Sequence, residues 1–151
     1  MPAAGCVIST VPVGSAPVGV TVNPAGTRVY VANAVSETVS VIDTSTNTVI
    51  AVIAGFGSTP CNLVVSPDGA RLYVAVNQGG FPSVVDTATN TISGNGPAAR
   101  WPFGIALNPA GTRAYITNLA VRLTDLSPVF DSVGSVSVVV TVLDTTTTIA
   151  A

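Results

Sequence analysis

Apolar residues occur along the chain in short runs, and turn-forming residues separate one run from the next. The runs are rich in valine, and none shows the 3.6-residue period of an amphipathic helix. Between the first two runs, Pro24 presets φ for a turn, and Gly26 accepts the left-handed conformation that returns the chain. The pattern therefore predicts short β-strands joined by tight turns. In the first part of the chain these strands cover residues 19–23, 28–32, 38–42 and 48–53.

This strand pattern recurs at a nearly fixed spacing. The segment NPAGTRVYVAN begins at Asn23, SPDGARLYVAV begins at Ser66, and NPAGTRAYITN begins at Asn108, so the steps are 43 and 42 residues. Self-similarity at such a period is the signature of a repeat protein in which each unit is one supersecondary element.

A second segment recurs in phase with the first. It ends a predicted strand at Asp43 in the first unit and at Asp86 in the second, again 43 residues apart. In the third unit the matching segment, VLDTTTTIA, puts Asp144 in this place, which is later than the period requires. The delay predicts an insertion at residues 119–135.

Four strands in a repeat of this length are typical of one blade of a β-propeller. Stacked blades bury both faces of each sheet, which explains near-continuous valine runs where a half-exposed sheet would alternate apolar and polar residues. A parallel β-helix is the alternative, but its rungs are shorter and lack paired hairpin turns. The predicted fold class is all-β, a propeller of four-stranded antiparallel blades, incomplete with about three blades in this chain.

The predicted blades divide the whole chain. Residues 6–14 match the last strand of a preceding blade, and the three blades cover 15–57, 58–99 and 100–151, the last with the insertion. Closed propellers have about four to eight blades. We therefore expect the arc to be completed by further propeller blades or by a second copy of the chain, because an isolated arc would expose strand edges and apolar faces.

The strand that follows each P-x-G-T-R turn carries a family resemblance. Tyr30-Val31-Ala32-Asn33 and Tyr115-Ile116-Thr117-Asn118 resemble the YVTN family of β-propeller repeats, and the likeness continues through residues 39–49. The middle unit departs from the motif, since its asparagine is delayed to Asn77. The resemblance implies an exported, periplasmic or cell-surface propeller. Propellers similar to this family include sugar lactonases and subunits of redox enzymes.

The composition limits the classes of partner that the chain is expected to bind. Charged residues make up 8% of the chain, lysine and histidine are absent, and the net charge is −2, so no basic surface for nucleic acid is expected. No apolar run is long enough for a membrane-spanning helix. Cys6 and Cys61 are the only cysteines, and we predict that they are not bonded to each other because they belong to strands at opposite edges of their blades.

The sequence contains no catalytic constellation. Without histidine or lysine, the usual nucleophilic triads and general bases cannot be built, and no metal or cofactor is expected. The residues that recur at the repeat spacing are instead expected to shape turns and strand ends. These are Asp43, Asp86, Asp144, Gly26, Gly69, Gly111, Asn33 and Asn118, with the asparagines expected to satisfy backbone groups.

One cluster of residues lies outside the repeat pattern. Because strands alternate in direction, the loops that enter each blade and the loops between its second and third strands share one end of the propeller. In the third unit this end combines the chain's only tryptophan with its longest loop. The candidate ligand-binding residues are Arg100, Trp101, Phe103, Arg122, Asp125 and Asp131. The alternative, that Trp101 and Phe103 pack between blades, stays open.

The function expected from these features is non-catalytic binding or interaction by an exported or cell-surface propeller, with an unknown ligand or protein as partner. The alternative is a fragment of a lactonase-like or redox-associated propeller enzyme whose active residues lie in other blades.

Overall fold

The computed structural model describes residues 5–78, 82–96, 101–119, 121–124, 127–130 and 134–141, with the backbone alone for 121–124 and 127–130. These residues form strands and turns, and they contain no helix of the length and apolarity needed to cross a membrane. The strands are β1 (Pro17–Val22), β2 (Arg28–Asn33), β3 (Thr38–Asp43), β4 (Thr48–Ile53), β5 (Pro60–Val65), β6 (Arg71–Val76), β7 (Ser83–Asp86), β8 (Thr91–Asn95), β9 (Pro102–Leu107), β10 (Arg113–Asn118), β11 (Val121–Thr124), β12 (Ser127–Phe130) and β13 (Ser135–Val140).

The strands form consecutive antiparallel sheets. The first blade has the order β1-β2-β3-β4, the second has β5-β6-β7-β8, and the third contains β9, β10 and β13 with β10 in the middle. Among the described strands, β11 and β12 pair only with each other, as a hairpin between β10 and β13. The all-β prediction of an incomplete propeller is confirmed.

The turn between the first two strands of each blade is built as the sequence predicts. Gly26, Gly69 and Gly111 have φ of 69°, 76° and 68°, and each donates its N–H to the residue that opens the turn. In the first blade, Asn23 Oδ1 accepts hydrogen bonds from two backbone amides at 2.8 and 3.0 Å. Side-chain capping of this kind supplies hydrogen-bond acceptors for backbone amides that a tight turn leaves without a partner.

The core lies between blades. Each blade has a trailing face, which packs on the following blade, and a leading face, which packs on the preceding one. The trailing face of the first blade and the leading face of the second share one apolar cluster. The trailing residues are Tyr30, Ala32, Val39 and Val41, and the leading residues are Leu63, Val65, Leu72 and Val74.

A second cluster joins the second blade to the third. Tyr73 and Val84 pack with Ile105 and Ile116 of the third blade. Cys61 is buried here, and its thiol donates to the carbonyls of Ala75 at 3.3 Å and Pro102 at 3.5 Å, the latter in the third blade. Burial raises the pKa of this thiol, so it stays protonated and available as a donor. Cys6 is exposed and both cysteines are free, which confirms the predicted absence of a disulfide.

The third blade corrects one sequence assignment. Val140 pairs with Arg113, as Asp43 pairs with Arg28, so Val140 takes the position that the sequence assigned to Asp144. The next residue, Thr141, donates its hydroxyl to the Gly111 carbonyl, the contact that its counterparts make in the other blades. The valine run of β13 therefore fills the third strand directly, and Asp144 lies outside the described residues.

Two other segments differ from expectation. Residues 6–14, predicted as the last strand of a preceding blade, have no strand in the described structure. Their role as such a strand would require a sheet partner, and it stays a prediction. The insertion, expected to be a loop, contains the β11–β12 hairpin, in which Val121 pairs with Phe130 and Thr124 with Ser127.

Candidate ligand-binding face

One end of every blade is closed by the same backbone hydrogen bond. The amide that follows the second strand donates to the carbonyl of the residue that precedes the first strand. The three bonds are Ala34 to Ala16 at 2.8 Å, Asn77 to Thr59 at 2.8 Å, and Leu119 to Trp101 at 3.1 Å. At this end, which we call the loop face, the chain's entry into each blade thus lies beside the loop between its second and third strands.

Trp101 has a left-handed backbone, as does the residue at this junction of the first blade but not Thr59 in the second. The φ of Trp101 is 49°, close to the 52° of Ala16 at the same place in the first blade, and a proline follows each of them. Left-handed φ is uncommon in residues with a side chain, and a bulky residue there is held by its surroundings. The Trp101 carbonyl accepts the bond from the Leu119 amide, and Pro102 follows with a fixed φ.

The third blade alone places aromatic residues at this junction. Trp101 is partly exposed and Phe103 is 50% exposed, whereas the first two blades have Ala16 and Thr59 where Trp101 stands. A half-exposed phenylalanine next to a tryptophan leaves apolar surface that the described blades do not cover. Cys61, at the same position of the second blade, is buried against the third blade, so packing of Phe103 on a following blade stays an alternative.

The insertion begins beside Trp101. Leu119, whose amide bonds to the Trp101 carbonyl, is the first residue after β10, and the hairpin begins at Val121. Arg122 lies on the backbone of β11, opposite Val129. Arg100, Asp125 and Asp131 lie outside the described residues. The structure thus brings together Trp101, Phe103 and the start of the insertion, while the charged members of the predicted cluster stay predictions.

Asn33 and Asn118, at the end of the second strand beside the loop face, bond to the third strand of their blades. Asn33 Nδ2 donates to the hydroxyls of Thr38 at 3.2 Å and Ser40 at 2.9 Å, and Asn118 Nδ2 donates to those of Ser135 and Ser137. The sequence predicted backbone partners for these asparagines, but the structure gives them side-chain hydroxyls on the third strand. The reason is that serine and threonine alternate along that strand and present their hydroxyls to the asparagine.

The recurring aspartates lie at the opposite end of the blades. Asp43 Oδ1 accepts from the Ser45 hydroxyl at 2.5 Å and the Ser45 amide at 2.8 Å, and these bonds hold its pKa below the ordinary value. Asp86 Oδ1 accepts from the amides of Thr89 and Ala88, which lower its pKa in the same way. Both carboxylates cap turns and face solvent, far from the loop face, so they take no part in a site there.

Sequence reasoning missed a cavity between the second and third blades. It has a volume of about 260 Å³, with walls formed mainly by aliphatic side chains such as Val84, Ile105 and Ile116. Arg71 and Asn95 lie at its edge. The lining offers apolar contact rather than acid–base chemistry, and the described residues contain no group of three or more potential metal ligands.

Gly96 lines the cavity, and glycine stands at two positions where the first blade has packing residues. In the first blade, Ala51 and Ile53 on β4 fill the space against the next blade. In the second blade, Gly94 takes the position of Ala51, because Gly94 pairs with Val84 as Ala51 pairs with Val41. Gly96 follows two residues later, as Ile53 follows Ala51, and its amide bonds to the Pro82 carbonyl at 2.6 Å. Glycines thus replace the two packing residues. Comparison of the repeats at these two positions is the sequence signal that would have predicted the cavity.

Comparisons with known proteins support the fold. No protein-family model matches the sequence, and no curated relative matches it. Among 577 chains of solved structures that match is one described as Kuenenia stuttgartiensis hydrazine synthase, with a TM-score of 0.67 and 28% identity. The match covers 76% of this chain and 33% of that one, so this chain spans about a third of the length of that relative. A fold shared so widely does not by itself assign a function.

Proposed function

We propose that this chain is part of a non-catalytic β-propeller that binds a partner protein or another ligand through its loop face. The resemblance to YVTN repeats extends the proposal to an exported, periplasmic or cell-surface location. The blades supply a rigid frame, and the third blade supplies the contact surface with Trp101, Phe103 and the adjacent insertion.

The observation that carries the proposal is the exposure of aromatic residues at the one junction that also carries an insertion. The repeat explains neither the tryptophan nor the insertion, because the first two blades have Ala16 and Thr59 where Trp101 stands and short loops where the insertion stands. Loops mounted on a rigid sheet commonly carry binding functions, and tryptophan is among the residues most enriched at binding hot spots. An enzymatic role has no comparable support, since the chain lacks histidine and lysine.

Selection of a random-peptide phage library on the immobilised chain tests this proposal. Peptides selected on the wild type should lose at least about tenfold in affinity for Trp101→Ala, the usual effect of removing a hot-spot residue. Val35→Ala is the matched control, since Val35 is 73% exposed at the loop face of the first blade. Selected peptides that bind Trp101→Ala as tightly as the wild type would contradict the proposal.

A second candidate is a segment of a propeller enzyme whose active residues lie in other blades. The 28% identity to a chain named hydrazine synthase is the observation that favours it. Metal analysis and absorption spectroscopy of the product of the complete reading frame distinguish the two candidates. A stoichiometric metal or chromophore would favour a redox-associated enzyme, whereas the binding proposal expects neither.

A further inference from the structure

The third blade exposes a sheet face that the first blade buries. On its trailing face, Val138 is 58% exposed, whereas Val41, at the same position of the first blade, is fully buried. Val136 and Tyr115 show the same contrast with Val39 and Tyr30. The face is apolar because its residues follow the repeat, and in the repeat this face packs on another blade.

The first blade exposes the complementary face. On its leading face, Val20 is 70% exposed and Val22 is 53% exposed. Their counterparts in the second blade, Leu63 and Val65, are buried in the cluster that joins the first two blades. Contiguous exposed apolar surface of this kind marks an interaction site.

We propose that these two faces pack on each other between two copies of the chain. The trailing face of the third blade of each copy would cover the leading face of the first blade of the other. Two copies cover all four end faces, and their six blades fall within the range of about four to eight that closes a propeller. Two equal head-to-tail contacts form a closed ring rather than a filament if the rotation between copies closes.

The internal interface fixes the register of this contact. Within the chain, Arg28 Nη1 donates across the first interface to the Thr87 carbonyl at 3.3 Å. By repeat position, Arg113 corresponds to Arg28, and Thr44 corresponds to Thr87. In the ring, Arg113 of each copy would therefore donate to the Thr44 carbonyl of the other. This contact is the polar counterpart of the apolar packing.

Sedimentation equilibrium tests the proposal on the chain as it stands. The wild type should have twice the 15.0 kDa mass of one chain. Val138→Glu on the trailing face and Val20→Arg on the leading face should each halve that mass, because each introduces an uncompensated charge into both contacts. Both side chains are exposed in a single copy, so neither substitution disturbs the packing within it.

Sedimentation of an equal mixture of the two variants is the most decisive test. One contact in a mixed ring is unaltered and the other brings Glu together with Arg, so the mixture should recover the doubled mass. Val35→Glu, an exposed valine outside both faces, should keep the mass of the wild type. A wild-type monomer, aggregates without a discrete doubled species, or single variants that keep the doubled mass would overturn the proposal. Binding at Trp101 is measured separately and does not decide this outcome.

Discussion

Three exposed carboxylates organise turns on the face opposite the loop face. Asp43 and Asp86 cap the turn after the third strand, and Asp68 accepts from the Ser66 hydroxyl at 2.5 Å in the turn after the first. In each case hydrogen bonds to the charged form lower the pKa of the carboxyl group. The largest cause is the Ser45 hydroxyl for Asp43, the Thr89 amide for Asp86, and the Ser66 hydroxyl for Asp68. These residues are structural: Asp43 and Asp86 recur at the repeat spacing, and Asp68 stands in a turn where the other blades have alanine.

The lowered pKa values predict an acid-dependent loss of stability. A carboxylate whose folded pKa lies below its unfolded value stabilises the fold above the unfolded pKa, near 4, and this contribution disappears as pH falls through the folded value. The free energy of unfolding should therefore be steady at neutral pH and decrease below about pH 4. The triple variant Asp43→Asn, Asp68→Asn and Asp86→Asn should flatten this decrease. Glu37→Gln, which removes an exposed carboxylate elsewhere, should preserve it, and equal slopes for wild type and triple variant would contradict the assignment.

Two glycines should respond to substitution with opposite sign. A Cβ on Gly94 would meet no atom within 4 Å, so Gly94→Ala should stabilise the fold by about 0.5–1 kcal/mol through the unfolded chain. Gly111 has φ of 68°, and a Cβ there would lie 2.6 Å from Pro67 Cδ. Gly111→Ala should therefore destabilise by more than about 1 kcal/mol. Urea unfolding measures both, and a loss of stability in Gly94→Ala would show that the space beside β8 is filled.

At the scale of elements, the insertion is an addition to the three described strands of the third blade. Asn118 pairs with Ser135 across β10 and β13 as Asn33 pairs with Thr38 across β2 and β3. In the first blade a short loop, residues 34–37, makes this connection. The hairpin is therefore not needed to bring the third strand into register.

Replacement of residues 119–134 by the Ala-Val-Ser-Glu loop of the first blade tests this view. The variant should unfold cooperatively, with a free energy of unfolding within about 0.5 kcal/mol of the wild type, as for surface changes away from the core. It should also lose affinity for peptides selected on the loop face. A non-cooperative unfolding curve would instead show that the hairpin holds the third blade together.

The strands and their repeat could be predicted from sequence because each element obeys a local rule. Turns such as Asn23-Pro24-Ala25-Gly26 have characteristic residues, and the valine runs between them fix the strands. The end of the third strand in the third blade could not be predicted from sequence. The reason is that VLDT at 142–145 matches the earlier Asp-Thr ending better than VVVT at 138–141 does. Backbone pairing with β10, which places Val140 opposite Arg113, decided the register.

The candidate site was less predictable than the fold. Sequence could place Trp101 beside the insertion, since alternating strand direction fixes which loops share an end. It could not predict the left-handed φ of Trp101, because Thr59 at the same junction of the second blade does not have it, nor the exposure of Phe103, which depends on packing between blades. The walls of the cavity come from two different blades, and the only sequence signal for it is the replacement of Ala51 and Ile53 by glycines at positions 94 and 96.

At the scale of the whole molecule, one packing rule accounts for most of the chain. The trailing face of each blade packs on the leading face of the next, which makes apolar residues abundant and charged residues rare. The same rule leaves the two end faces exposed and leaves the loop face free to vary. The third blade departs from the repeat there, and the proposed binding function rests on that departure.

Fluorescence of the single tryptophan tests this assignment most directly. Trp101 is the chain's only tryptophan, so emission and acrylamide quenching report on the loop face alone. We expect the emission of a partly exposed indole that acrylamide quenches, and protection from quenching when a selected peptide binds. Trp101→Phe should abolish the signal while unfolding at the same urea concentration. Blue-shifted emission that acrylamide does not quench in the free chain would place Trp101 in the interior and contradict the binding face.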